Sequence, residues 1–253
     1  MRMGNRRAVL TAAVLTALVT TGGCGTSAEP RTTKVSVPRA GGETSHTTTA
    51  GDRAPGEQRD VLPGLGSRTR AEVPDDTRQA LVVTGSGRNS STSKAVLYER
   101  TATGWQAKAS WPARNALRGW TAGHRAGDLR SPIGVFTLSD AGGRLADPGS
   151  ALPYSQSPNF RIGGTGFAGE PLVGSFDYVI AIDYNRERGT SPLDATKPLG
   201  AAKGGGIWIH VDHGGPTHGC IGLARPHVER LLRVLDPARH PVVVMGDAAS
   251  LAT

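Results

Sequence analysis

Cysteine is almost missing from this chain of 253 residues. Cys24 and Cys220 are the only two, so at most one disulfide can form and a disulfide-stapled scaffold is excluded. Aromatic residues supply 5% of the chain, and aromatic and aliphatic residues together only 37%, a poor composition for a helical bundle. Long apolar runs are lacking too. Ala8 to Thr21 runs fourteen residues without a charge, a rise of about 21 Å as a helix against a hydrocarbon core of roughly 30 Å. No other run is apolar enough to span a membrane. What abounds is Gly (35) and Pro (17), about a fifth of the chain. That favours a loop-rich β fold, with part of the chain unstructured. The net charge is +8, with a pI near 10.1. Such a balance suits an anionic partner: nucleic acid, a membrane surface or an acidic wall polymer.

The N-terminus narrows that choice. Arg2, Arg6 and Arg7 precede the uncharged stretch, and Gly22-Gly23-Cys24 closes it. A positive start, a short apolar middle and small residues before the cut describe a secretory signal over residues 1–23. A cysteine directly after two glycines resembles a bacterial lipobox, in which the cysteine carries the lipid; Thr21 stands where that pattern usually has an aliphatic residue. An ordinary signal peptide with an incidental Cys24 thiol is the plainer alternative. Removing residues 1–23 takes away three arginines and lowers the charge from +8 to +5, so no nucleic-acid partner is expected. The expected location is extracytoplasmic, at the membrane through lipidated Cys24 or secreted to the wall. Residues 24–76, rich in Thr, Ser, Gly and Pro, have no sustained period and read as a disordered tether, roughly 40 Å end to end as a coil.

Order is expected over residues 77–248. Compact apolar runs at 79–84, 95–100, 104–109, 133–138, 178–183, 206–211 and 241–245, bounded by Gly, Ser, Asn and Pro, read as strands. One amphipathic helix is expected at 226–235, where Val228, Leu231, Leu232 and Leu235 share a face behind Pro226. Many short strands with one late helix imply a mainly β domain, a sandwich of short strands. No internal repeat is present.

The most informative stretch is Gly206-Ile-Trp-Ile-His-Val-Asp-His-Gly-Gly-Pro-Thr-His-Gly-Cys-Ile-Gly-Leu-Ala224. It packs His210, His213, His218 and Cys220 into eleven residues. The strand delivers His210 at its end, Gly214-Gly215-Pro216 forces a turn, and Cys220 leads into the next apolar run. A thiol and an imidazole so placed make a nucleophile pair, the histidine lowering the thiol's pKa from about 8.5. Gly219 leaves room for a carbonyl to approach backbone N–H groups. Two other readings use the same residues. His210, His213, His218 and Cys220 could hold Zn²⁺, although H-x2-H-x4-H-x-C is no standard finger spacing and no second cysteine pair exists. Alternatively the thiol and imidazoles are inert core groups. His213 is assigned to solvent or substrate contact, and Trp105, Trp111 and Trp120 to packing before any sugar platform.

Thr217-His-Gly-Cys-Ile221, behind a strand ending in Ile-His, resembles the S/T-H-G-C signature of the L,D-transpeptidases, the YkuD or ErfK/YbiS domain. Gly127-Asp-Leu-Arg-Ser-Pro-Ile-Gly-Val-Phe136 resembles that family's G-D-x-x-T-P-x-G-x-F segment, with Ser131 replacing threonine. The likeness covers about residues 79–245 and suits a lipoprotein member. It implies Cys220 as nucleophile and His210 as base, the Val211 carbonyl orienting the ring. His218 and Gly219 would line the site, with the N–H groups of Gly219 and Cys220 facing the oxyanion. No cofactor or metal is implied. The implied substrate is the peptidoglycan stem peptide, joined 3→3 through a Cys thioester; an L,D-carboxypeptidase and a non-catalytic wall-binding lipoprotein are the alternatives. Two features depart from the pattern. Gly222 stands where the family has arginine or asparagine, and ten residues separate His210 from Cys220 where the mid-teens are usual.

Overall fold

The structure is a computed structural model that describes residues 61–253. The expected signal segment, Cys24 and the first part of the tether lie outside the described residues. The domain is mainly β, as the strand-rich sequence implies. The described residues hold twelve strands: β1 (Gln79–Gly85), β2 (Thr92–Thr101), β3 (Gly104–Arg114), β4 (Trp120–Thr121), β5 (Ser131–Pro132), β6 (Gly134–Thr137), β7 (Ala141–Gly143), β8 (Tyr154–Gln156), β9 (Val179–Ala181), β10 (Trp208–Val211), β11 (Ile221–Leu223) and β12 (Val242–Asp247). Ten form one curled sheet in the order β6-β12-β1-β2-β3-β11-β10-β9-β7-β8, while β4 and β5 pair separately. Three helices accompany them: α1 (Ser67–Ala71), α2 (Arg225–Val234) and α3 (Ala248–Leu251).

The apolar runs in β1 and β12 are unbroken because both faces of these strands are covered. Leu81 and Val83, with Val243 and Met245, face the main core, where α2 contributes Val228, Leu231 and Leu232. Ala80 and Val82, with Val242 and Val244, face a second cluster that holds Leu62, Leu65 and Leu251. This second cluster corrects the expected tether boundary at residue 76. Leu62 and Leu65 are 3% and 5% exposed, and α1 bonds to the C-terminal segment through Gly66 N–H to Leu251 O and Arg68 N–H to Thr253 O. Two leucines three residues apart bury one face of a short turn, a signal too brief to show as a period in a polar stretch.

α2 matches the expected helix within a residue, with Pro226 in its first turn. The short strands β4, β5, β7 and β8 were not expected. Two or three residues, Ala141-Gly142-Gly143 among them, carry no alternation to read. The link between β10 and β11 is unusual: the two strands are parallel neighbours, with Ile209 opposite Ile221 and His210 opposite Gly222. Parallel neighbours ordinarily need a crossover of a dozen or more residues. Here Asp212–Cys220 suffices, and its left-handed Gly214 (φ 94°) sharpens the return. That loop forms the wall of the site.

Candidate active site

His210 leaves the sheet on β10 and Cys220 precedes β11, so the parallel register sets Cys220 level with Trp208 and one side-chain repeat from His210. Trp208 N–H accordingly donates to Cys220 Sγ at 3.4 Å, and the thiol points toward Gly206 O at 3.6 Å. His210 is 3% exposed, and its Nδ1 bonds the Val211 carbonyl at 2.9 Å. With Nδ1 acting as the donor there, Nε2 carries the lone pair. Both side chains line one cavity of about 190 Å³, together with His213, Thr217, His218 and Phe176. No hydrogen bond joins Sγ to the His210 ring among the described residues.

The protonation states correct the expected thiolate. Burial pushes the Cys220 thiol up to about 11, and the Trp208 N–H only partly offsets this. Burial likewise holds His210 down to about 4, against the opposing effect of the Val211 carbonyl. The resting pair is therefore neutral thiol and neutral imidazole. Such a pair reacts by moving the proton as the sulfur attacks.

Gly219 is buried, and a Cβ there would stand 2.9 Å from Ile207 Cδ1. Neither its N–H nor that of Cys220 is taken by a protein acceptor among the described residues, which leaves both open to a substrate oxygen. Thr217 Oγ1 donates to the Cys220 carbonyl at 2.7 Å, and Ser131 Oγ donates to the Gly219 carbonyl at 2.8 Å while accepting from Ala116 N–H. Ser131 therefore fastens the segment 127–136 to the cysteine loop. His218 is exposed, with Phe167 4.7 Å from its ring. Gly222 faces Asp212 and Arg114, which form an ion pair at 3.4 Å; a Cβ there would meet them at ordinary contact distance.

Sequence reasoning overlooked a hairpin over the cavity. Thr165 bridges Pro171, and the enclosed turn carries Phe167 and Glu170. Glu170 Oε1 accepts from His213 Nδ1 at 2.9 Å. The His213 ring lies parallel to His210, 5.7 Å between centroids and 11° between planes. The hairpin's mix of Gly, Thr and Pro resembles any loop, and only His213 hinted at a partner. A second cavity, of about 250 Å³, also reaches Cys220 and is lined by His124, Leu129, Lys197, Gly204 and Gly206. Asn185 fastens the backbone that leads to Gly204, donating to Gly200 O and Gly204 O while accepting from Leu199 N–H. Trp111 and Trp120 are buried, and neither offers a face to sugar. Among the described residues no group of three His, Cys, Asp or Glu converges to hold a metal ion. The Nδ1 atoms of His210 and His213 are already engaged by Val211 and Glu170.

Residues 78–244 match the YkuD family, the L,D-transpeptidase catalytic domain. The chain belongs to this family, whose members are typically cysteine-dependent acyltransferases. Among solved structures, the chain is similar to Bd1075 of Bdellovibrio bacteriovorus, with 17% identity over 74% of this chain and 54% of that one, at a TM-score of 0.40. It is also similar to Pgp2, the helical cell shape determining protein of Campylobacter jejuni, with 18% identity over 68% and 49% and a TM-score of 0.41. The chain thus spans about half the length of these structures. No curated protein matches.

Proposed function

We propose that this protein is an extracytoplasmic cysteine acyltransferase that joins peptidoglycan stem peptides 3→3, with Cys220 as nucleophile and His210 as base. The carrying observation is the placement of both side chains on one cavity wall, beside the two open N–H groups of Gly219 and Cys220. The sulfur attacks the carbonyl of the third stem residue, a diaminopimelate, as its proton passes to His210 Nε2. The two amides hold the oxyanion. Loss of the terminal D-Ala leaves a thioester, and an amine of a second stem resolves it. Two cavities meeting at Cys220 favour this outcome over resolution by water: the His210 side receives the leaving and entering amines, and the Lys197 side receives the acyl chain with its carboxylates. No cofactor takes part.

Intact mass after incubation with a carbapenem, an acylating inhibitor of this family, is the test. One adduct that disappears in Cys220→Ala is expected, with acylation at least about 10²-fold slower in His210→Ala. Absence of an adduct in the wild type would leave a wall-binding protein. We assign the membrane anchor to a lipid on Cys24. In Cys24→Ala, fractionation should find the protein released from the membrane; unchanged retention would remove that assignment.

A further inference from the structure

The His213–Glu170 pair has features that neither loop closure nor packing explains. Glu170 comes from the hairpin over the cavity, yet its carboxylate lies against the 213–216 loop. A Cβ on Gly166 or on Gly215 would overlap Glu170 Oε1, so two glycines leave the space the carboxylate fills. Glu170 Oε2 also accepts from Ala168 N–H at 2.8 Å. The carboxylate is held in its ionised form first by backbone N–H donation within the hairpin and then by His213. The His213 side chain is 6% exposed. Its Nδ1 is used by Glu170, and Nε2, without a hydrogen-bond partner among the described residues, belongs to a ring lining the cavity shared by His210 and Cys220.

Two parallel imidazoles this close cannot both hold a proton at low cost. The carboxylate stands beside His213, whereas His210 has only a carbonyl and is pushed down partly by His213 itself. Of the two rings, only His213 has an anionic partner beside it. Resting upon the acyltransferase reading above, we propose that His213 is a second catalytic histidine, positioned by Glu170, that handles the proton of the amine while His210 handles the proton of the sulfur. In acylation the C–S bond forms as the thiol proton moves to His210. The C–N bond then breaks as the His213 imidazolium gives its proton to the departing D-Ala nitrogen. In the second half the acceptor amine forms a new C–N bond and returns a proton to His213. The C–S bond breaks, and the sulfur recovers its proton from His210. The cycle closes with the thiol, neutral His210 and the His213–Glu170 ion pair restored.

A leaving group that depends far less on a proton than an amide nitrogen does separates this role from a structural one. Full-length protein is acylated by a tetrapeptide stem ending in D-Ala and by the matching ester ending in D-lactate, and adduct formation is timed by intact mass. His213→Gln is expected to slow the amide donor by about 10²-fold and the ester by less than about tenfold. Glu170→Gln keeps an acceptor for Nδ1–H without the charge and should give a smaller loss, again confined to the amide. His210→Ala should slow both donors. Equal slowing of amide and ester in His213→Gln, or no slowing of either, overturns the assignment and leaves His213 as a hairpin fastening. A wild type that forms no adduct with either donor instead overturns the acyltransferase reading beneath it.

Discussion

His210 has room for one lone pair in its cavity and almost no water to stabilise a charge, being 3% exposed with Nδ1 committed to the Val211 carbonyl. The pH behaviour follows from that. The neutral base exists above about pH 4 and the neutral thiol below about pH 11, so acylation by the ester donor, which leans little on His213, is expected to stay level across neutral pH and fall only toward the acid limit. A bell with limbs near 6.5 and 8.5, measured by adduct formation against pH, would contradict it. The same burial has a stability consequence. Unfolded histidine takes up a proton near 6.5, while folded His210 resists until about 4. Folding therefore loses stability as pH falls from 6.5 to 4, by up to about 3 kcal/mol, and no further below that. Denaturant melts at pH 7 and pH 4 should show this loss shrinking in His210→Ala. The motif Thr-His-Gly-Cys made the thiol and its imidazole legible, but not their ionisation. That depends on how much of each ring and sulfur the folded chain covers, which residue identity leaves open. Glu170 was hidden for a related reason: it lies 43 residues from His213 in sequence, and no spacing rule links the two.

At the scale of elements, the site rests on the parallel pair β10–β11 and on Ser131. The sequence suggested strand, turn and strand, and a hairpin is the ordinary form of that pattern. The parallel form instead places Cys220 at the start of one strand and His210 toward the end of its neighbour, both on the same side. Ser131 ties β5 to this arrangement with a fully buried hydroxyl that donates to one backbone group and accepts from another. Ser131→Ala leaves the Ala116 N–H and the Gly219 carbonyl unpaired, an expected cost of about 1–3 kcal/mol by denaturant titration. Acylation should slow as well, since Gly219 carries one of the proposed oxyanion donors. Ser131→Thr, which keeps the hydroxyl, is expected to lose less of both. The strands β1, β2, β3, β6, β9, β10 and β12 and helix α2 were readable because five or more consecutive residues carry their pattern. The brief strands β4, β5, β7 and β8 draw their stability from neighbours and left no comparable trace.

Across the whole molecule, basic residues converge on a few buried carboxylates. Arg225 and Arg144 both reach Asp177, and together they outweigh its burial and hold its carboxyl below the usual range. This joins the N-terminal end of α2 to the segment leading into β9. Arg186 likewise spans Asp140 and Asp183. Three arginines meet three aspartates in these pairs, which are neutral together, so the chain's net positive charge is carried by its other basic residues.

The first long strand and the last also lie side by side in the same direction, with Ala80 opposite Val242 through Gly85 opposite Asp247. Tension applied at the two ends of that pair would slide the strands past one another, loading all six rungs at once instead of opening them singly. Were the protein at work on the wall as proposed, it would in this way meet mechanical force with its most resistant geometry, and the cysteine loop, several strands away in the sheet, would stay in place while that seam held.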